Sequence, residues 1–413
     1  MRSRGGSVGL GFLILAFSLY FVRPVYIYAT SGPSPEYRRC LLEGKPGDPR
    51  KLVRDGTSGV VKIIQMTDLG EFEDRCQVTD AFYELNWDRD VEPNNDFNVA
   101  VKPGSREMAR PKFVVLYIHG WHHGADPNAG DLFEFKKLIS GLAEVNPERQ
   151  VTGLYVSWNA NSNIPLWHYL DFWQKGSVAD RIAASGNVTS FISAASEIIA
   201  RSKPGGRFIT IGHSFGARIL MASTAQSALV ATQKAHPGRP GGIYKQIESI
   251  SQTAIFLNPA FEAVYFTPLA SFNRLEEKFA PQQKPVLLTI ATNNDWSTRY
   301  AFPLGQWLAW KTAGKEVSTL GNYADFETHK LTRGSSSSCE GIYRVAALTE
   351  SFHKDDVCLR RTQGFAHNPF MVVRTNAEIL SGHNGIWDPK FSQWLFSYIE
   401  ELGKQLPPKD KSE

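Results

Sequence analysis

The sequence predicts an α/β domain with a mostly parallel central sheet of about eight strands flanked by helices. Three observations predict it. Short, continuous, β-branched apolar runs recur along the chain, as in strands covered on both faces. Helical patterns separate the later runs. A strand-turn-helix signature, Phe208 to Gly216, sits in the middle of that alternation.

The strand candidates are Val60–Met66, Ala81–Trp87, Phe113–His119, Val151–Ser157, Phe208–Gly212, Ala254–Asn258, Val286–Thr292 and Phe370–Thr375. Asp131–Val145 reads as a helix, with Phe133, Phe135, Leu138, Ile139 and Leu142 near helical spacing. Val188–Ala200, Ala217–Val230 and Phe391–Leu402 behave likewise. Two segments interrupt the alternation and read as insertions. Residues 160–187 carry Trp167, Tyr169, Phe172 and Trp173, and residues 301–369 carry the run Ser335–Ser338, expected to be a flexible loop. Residues 30–57, rich in Gly, Pro and charge, form an irregular lead-in to a domain over 58–405, and 406–413 is a polar tail.

Composition sets the class. The chain has 413 residues, 42% hydrophobic and 21% charged, which is globular and excludes a disordered or coiled-coil protein. The net charge is 45 − 41 = +4 and no long basic run occurs, so no nucleic-acid partner is expected.

The N-terminus sets the compartment. Arg2 and Arg4 precede Val8–Val22, 15 residues without a charge. A basic start and an apolar stretch of this length read as an export signal. Counted through Ala29 the stretch has 22 residues, long enough to cross a bilayer with Arg23 snorkelling near its end. Residues 1–29 are therefore a cleaved signal or an uncleaved anchor, and Arg2 and Arg4 favour an inside N-terminus with the domain outside the cytoplasm. The four cysteines fit export. None has C-x-x-C spacing, and pairing of sequence neighbours, Cys40–Cys76 and Cys339–Cys358, is preferred among three pairings. Asn187-Val188-Thr189 is a glycosylation sequon that matters only in a glycosylating host.

The chemistry concentrates in three places. Gly212-His213-Ser214-Phe215-Gly216 follows an apolar strand and opens a helix. Such a sharp turn exposes the middle Ser hydroxyl, and the helix N-terminus with the Phe215 amide can stabilise an oxyanion. His119-Gly120-Trp121 ends an earlier strand and lets the following backbone approach the nucleophile, with the Trp121 amide as second donor. His119, His122 and His123 have no Cys or carboxylate placed to complete a metal site, so no metal is expected and His119 reads as a loop brace. A serine needs a base. His383 lies eight residues past Thr375 in a Gly-flanked turn, and His367, which precedes that strand, is the runner-up. The base needs an acid. Asp295 follows the Val286–Thr292 strand and is favoured over Glu262, which follows the strand before.

G-H-S-F-G, the H-G-W turn and the order Ser214, Asp295, His383 resemble the α/β-hydrolase superfamily, in its serine esterase and lipase group, over about residues 60–405. The stretch through Ser157-Trp158-Asn159 and Tyr169-Leu-Asp171 is similar to a branch of bacterial hydrolases with a Ser-Trp-Pro or similar turn after the fourth strand. No H-G-G-G motif occurs, which disfavours the hormone-sensitive-lipase type. The resemblance implies an α/β-hydrolase fold. It also implies Ser214 as nucleophile, His383 as base, Asp295 as acid, and the Phe215 and Trp121 amides as oxyanion donors. It points to cleavage of a small-molecule or lipid-like ester or thioester, without a cofactor. A peptidase or acyltransferase shares this nucleophile, and a retired fold kept as a binding scaffold is the reading from a different class.

Overall fold

The computed structural model describes residues 59–86, 110–126, 129–160, 171–202, 204–239, 241–274, 278–335, 339 and 348–404. The expected export segment, the lead-in, Cys40, Trp167, Tyr169, Ser336–Ser338 and the polar tail lie outside them.

The chain forms an α/β architecture around one sheet of ten strands, in the order β1-β3-β2-β4-β5-β6-β10-β7-β9-β8. The strands are β1 (Val60–Met66), β2 (Lys112–Ile118), β3 (Gln150–Trp158), β4 (Arg207–His213), β5 (Thr253–Leu257), β6 (Leu287–Thr292), β7 (His329–Arg333), β8 (Ser351–Lys354), β9 (Val357–Arg361) and β10 (Phe370–Thr375). Every pairing from β1 across to β7 is parallel. Only β9 and β8, at one edge, run antiparallel to their neighbours.

The continuous apolar runs are explained by two-sided burial. Every residue of β2, β3, β5 and β6 is buried. Along β2, Val114, Leu116 and Ile118 enter one core layer and Phe113, Val115 and Tyr117 the other, as the strand period of two requires. The first layer is closed by α1 (Arg75–Asn86), α3 (Asp171–Ala184), α4 (Asn187–Arg201) and α5 (Phe215–Ala235). The second is closed by α2 (Gly130–Val145) and, after the short α6 (Phe302–Leu308), by α7 (Pro389–Gly403). In α7, Phe391, Trp394, Leu395, Tyr398, Ile399 and Leu402 are buried at helical spacing, and Pro389 sits in the first turn where its missing N–H costs nothing.

Two expectations are corrected. Ala81–Trp87 is no strand: through Asn86 it forms the end of α1. Asp74 accepts a hydrogen bond from the Cys76 amide at 2.8 Å and so starts the helix, and the buried Ala81, Glu84 and Leu85 recur at helical spacing. The segment 301–369 is not a mere interruption of the alternation, because β7, β8 and β9 extend the sheet beyond the expected eight strands. These strands are short and charge-bearing, as edge strands are, and carry none of the apolar continuity that marks the centre. Cys339 and Cys358 form a disulfide that ties this edge, with a Cα–Cα distance of 5.6 Å. Cys76 is also disulfide-bonded. Such bonds persist in oxidising compartments, and the pair fits an oxidising environment. Among the described residues, no helix is long and apolar enough to cross a membrane.

Candidate active site

Parallel strands deliver their C-terminal ends to one edge of the sheet, where ligand sites of such sheets collect. Five turns meet there: those after β2, β4, β5, β6 and β10. The β4 turn holds Ser214 at φ 54°, ψ −119°, a conformation rare for a residue with a side chain. Three backbone hydrogen bonds hold it. The Ser214 amide donates to the Leu257 carbonyl at 3.0 Å, and the Ser214 carbonyl accepts from Ala217 and Ala260, both at 3.1 Å. Gly216 is needed because a Cβ there would collide with the Ile118 carbonyl. A Cβ on Gly120 would lie 2.9 Å from the Ser214 Cβ, so the Gly120–Trp121 turn packs directly against the serine. Phe215 is the first residue of α5, at the end where helix amides point toward a ligand.

The structure brings Ser214, His383 and Asp295 together. The Ser214 hydroxyl donates to His383 Nε2 at 2.7 Å, and His383 Nδ1–H donates to Asp295 Oδ2 at 2.7 Å. Asp295 is fully buried. Burial pushes its carboxyl pKa up, but the positive charge of His383 and hydrogen bonds from His383 and Thr298 outweigh that, and the net shift is downward. The Ser297 and Thr298 amides donate to Oδ1 at 2.9 and 3.2 Å, and the Thr298 hydroxyl donates to Oδ2 at 2.7 Å.

The other candidates sit elsewhere. Glu262, the alternative acid, is buried in a separate ion-pair cluster: Arg218 Nη1 and Lys311 Nζ each reach its carboxylate at 2.7 Å, and Arg218 also pairs with Asp180. His367 precedes β10, so it lies at the opposite end of that strand from His383, and its backbone amide donates to Glu350.

His119 holds the Gly120–Trp121 turn together. Its Nδ1–H donates to the Gly120 carbonyl at 2.8 Å, and its Nε2 accepts from the Trp158 amide at 3.1 Å. The Trp158 indole returns a bond to the His119 carbonyl at 2.9 Å, and the two rings stack within 6° of parallel. Burial lowers the His119 pKa to about 4, so the ring is neutral near pH 7.

Four supporting residues carried no signal that sequence reasoning used. Asn258, at φ 41° after β5, donates through Nδ2 to the Gly382 and His383 carbonyls at 3.1 and 2.9 Å, while its Oδ1 accepts from the Thr292 amide. Asn294 accepts from the Gly382 amide at 3.1 Å. His213 Nε2–H donates to the His383 carbonyl at 3.0 Å. Thr298 anchors Asp295. The available hint was an Asn at the C-terminal end of each of two adjacent strands, Asn258 before Pro259 and Asn294 before the acid.

An acid does stand beside the histidine turn, contrary to expectation. His123, Asp131 and His213 bring one ligand atom each within 4.8 Å of one another, a donor set of two imidazoles and a carboxylate that suits zinc. The Asp131 oxygens already accept from the Tyr117 hydroxyl at 2.7 Å and the Trp387 indole at 2.6 Å. Compared with known proteins, the chain matches no family model, no curated protein and no solved structure.

Proposed function

We propose that the protein is a serine hydrolase with an α/β-hydrolase fold that cleaves an ester or thioester through an acyl-enzyme on Ser214. The observation that carries this reading is the continuous relay from Ser214 Oγ through His383 to buried Asp295, with a strained serine at a helix N-terminus. His383 Nε2 takes the hydroxyl proton as Oγ attacks the acyl carbon. The carbonyl oxygen becomes an oxyanion, held by the Phe215 and Trp121 amides. The tetrahedral species collapses, and the alcohol or thiol leaves with the proton from His383. Water then loses a proton to His383, attacks the acyl-enzyme, and releases the acid and free Ser214. Asp295 fixes the His383 tautomer and stabilises its cation throughout. Residues 1–29 export the chain or anchor it, with the domain outside the cytoplasm, a placement that the disulfide at 339–358 supports.

A fluorophosphonate probe tests the reading. It is expected to add one adduct, mapped to Ser214, and Ser214→Ala is expected to lose both the adduct and turnover of short p-nitrophenyl esters by several orders of magnitude. An unlabelled, folded wild-type protein would leave the binding-scaffold reading in its place. Labelled protein that turns over amides, or passes the acyl group to an alcohol rather than water, would move it to peptidase or acyltransferase.

A further inference from the structure

The segment that begins one residue after Asp295 is amphipathic in an unusual way. Thr298 and Phe302 face the core, while Trp296, Tyr300, Leu304, Trp307 and Leu308 form an exposed stripe along α6 and the turn before it. The spacing 296, 300, 304, 308 is one face of a helix, and Trp310, 93% exposed, prolongs it. Six large apolar side chains exposed on one short run depart from the scattered pattern of an ordinary surface.

We propose that this stripe docks on a lipid bilayer surface that carries anionic headgroups. Three observations select that occupant. Trp and Tyr are the residues that sit at the headgroup level, with an apolar ring body and a polar edge. Residues 296–316 contain Arg299, Lys311, Lys315 and Glu316, and Lys311 is paired with the buried Glu262, so the apolar face keeps a small positive excess from Arg299 and Lys315. That rim disfavours a second copy, because a two-fold contact would oppose like charges. The chain also carries the uncharged stretch Val8–Val22, which on the proposed reading exports the domain or tethers it to a membrane.

The face is short for a stable anchor, so it would lie in the interface plane and not span. Its position gives it a consequence. Asp295 Oδ1 accepts from the Ser297 and Thr298 amides, so the docked segment and the acid of the relay share one rigid turn. Docking would hold the C-terminal edge of the sheet against the membrane. The docking itself stands apart from the proposed chemistry, since it requires no turnover.

A nitroxide probe reads the face locally. Leu308→Cys in the full chain, spin-labelled without reduction, is mixed with phosphatidylcholine vesicles with and without phosphatidylglycerol. Lys136→Cys, exposed on α2, serves as the control. The expected result is a rise of about tenfold in the ratio of oxygen to aqueous nickel-chelate accessibility at 308, greater with phosphatidylglycerol, and none at 136. Vesicle-bound protein with the 308 label still in water would overturn the proposal, as would absence of vesicle binding. So would a label shielded before lipid is added, which assigns the face to another segment of this chain. Dipolar broadening without lipid would assign it to a second copy and equally overturn it. Fluorophosphonate labelling of the same samples reports separately on Ser214.

Discussion

Mild acid is expected to destabilise the fold through histidines buried in their neutral form. His119 and His329 have pKa values lowered to about 4 and His213 to about 3, in each case by burial first; for His213 the neighbouring His383 adds to the effect. In the unfolded chain each returns to about 6.5. The folded pKa lies below the unfolded one, so between about pH 6.5 and 4 the unfolded state binds more protons and stability falls with pH. At about pH 5 each unfolded ring gains about 2 kcal/mol from protonation that the folded ring lacks, or about 6 kcal/mol for the three. The carboxylates whose folded pKa is depressed, Asp295 and Glu262, add their loss only at lower pH, once the unfolded carboxyls begin to protonate near pH 4. Urea unfolding at constant ionic strength across this range measures the slope, and hence the protons taken up. About three protons per unfolding event are expected near pH 5.5. His329→Gln, which removes a ring bonded to Thr328 and Thr349 and not to the relay, is expected to reduce the slope by about one proton. A stability profile flat from about pH 7 to 5 would refute neutral burial of these rings.

The remaining expectations are more local. Asp295→Asn should reduce kcat by orders of magnitude, because it disturbs the tautomer of His383, and should also lower stability, because it removes a buried carboxylate that accepts four hydrogen bonds, whereas Glu262→Gln should spare kcat and cost about 3 kcal/mol of stability by stripping the buried Arg218 of one partner; steady-state kinetics beside chemical denaturation separates the two by kcat, and the reverse ranking in kcat would move the acid role to Glu262. Asn258→Ala should lower kcat about 10- to 100-fold with KM nearly unchanged, since it frees the turn that aims His383; an equal rise in KM with kcat intact would show that Asn258 does not position the base. Reducing Cys339–Cys358, which closes a loop across a separation of 19 residues, should cost about 3 kcal/mol and release the β8–β9 edge first, seen as faster amide exchange at Phe352 and Leu359 than at Leu288; unchanged exchange would refute the stapling role.

The elements legible in the sequence are those whose burial is two-sided and local. β2, β3 and β5 are wholly buried, so their apolar continuity survives in any window. The serine turn is legible for the same reason: both its glycines and its strand lie within nine residues, Phe208–Gly216. α1 reads as a strand in the sequence because its buried residues, Ala81, Glu84 and Leu85, include a charged one, and the aromatic run Phe82-Tyr83 mimics strand composition. The Asp74 start signal was the stronger clue. β7 and β9 leave no strand signal in the sequence because their stability comes from pairing with each other near the sheet edge, in register from His329–Arg361 to Arg333–Val357. Sequence windows do not contain that partner.

The choice between two acids shows where local reading stops and topology begins. Asp295 and Glu262 both follow a parallel strand, both are buried, and both have depressed pKa values, so neither composition nor electrostatics separates them. Strand order does. β10 pairs with β6 through Thr375–Thr292, so the turns carrying His383 and Asp295 leave neighbouring strands at the same level and meet. β5 lies one strand further away, beside β4, and the turn after it runs under α5, where Arg218 waits. The β5 turn still reaches the base, but through Asn258 at its start and not through Glu262 four residues on, because Asn258 stands where the strand ends and Glu262 has already passed beneath the helix. Which carboxylate meets His383 is therefore a property of the sheet order, and it is the proposed use of that contact that the Asp295→Asn and Asn258→Ala kinetics interrogate together.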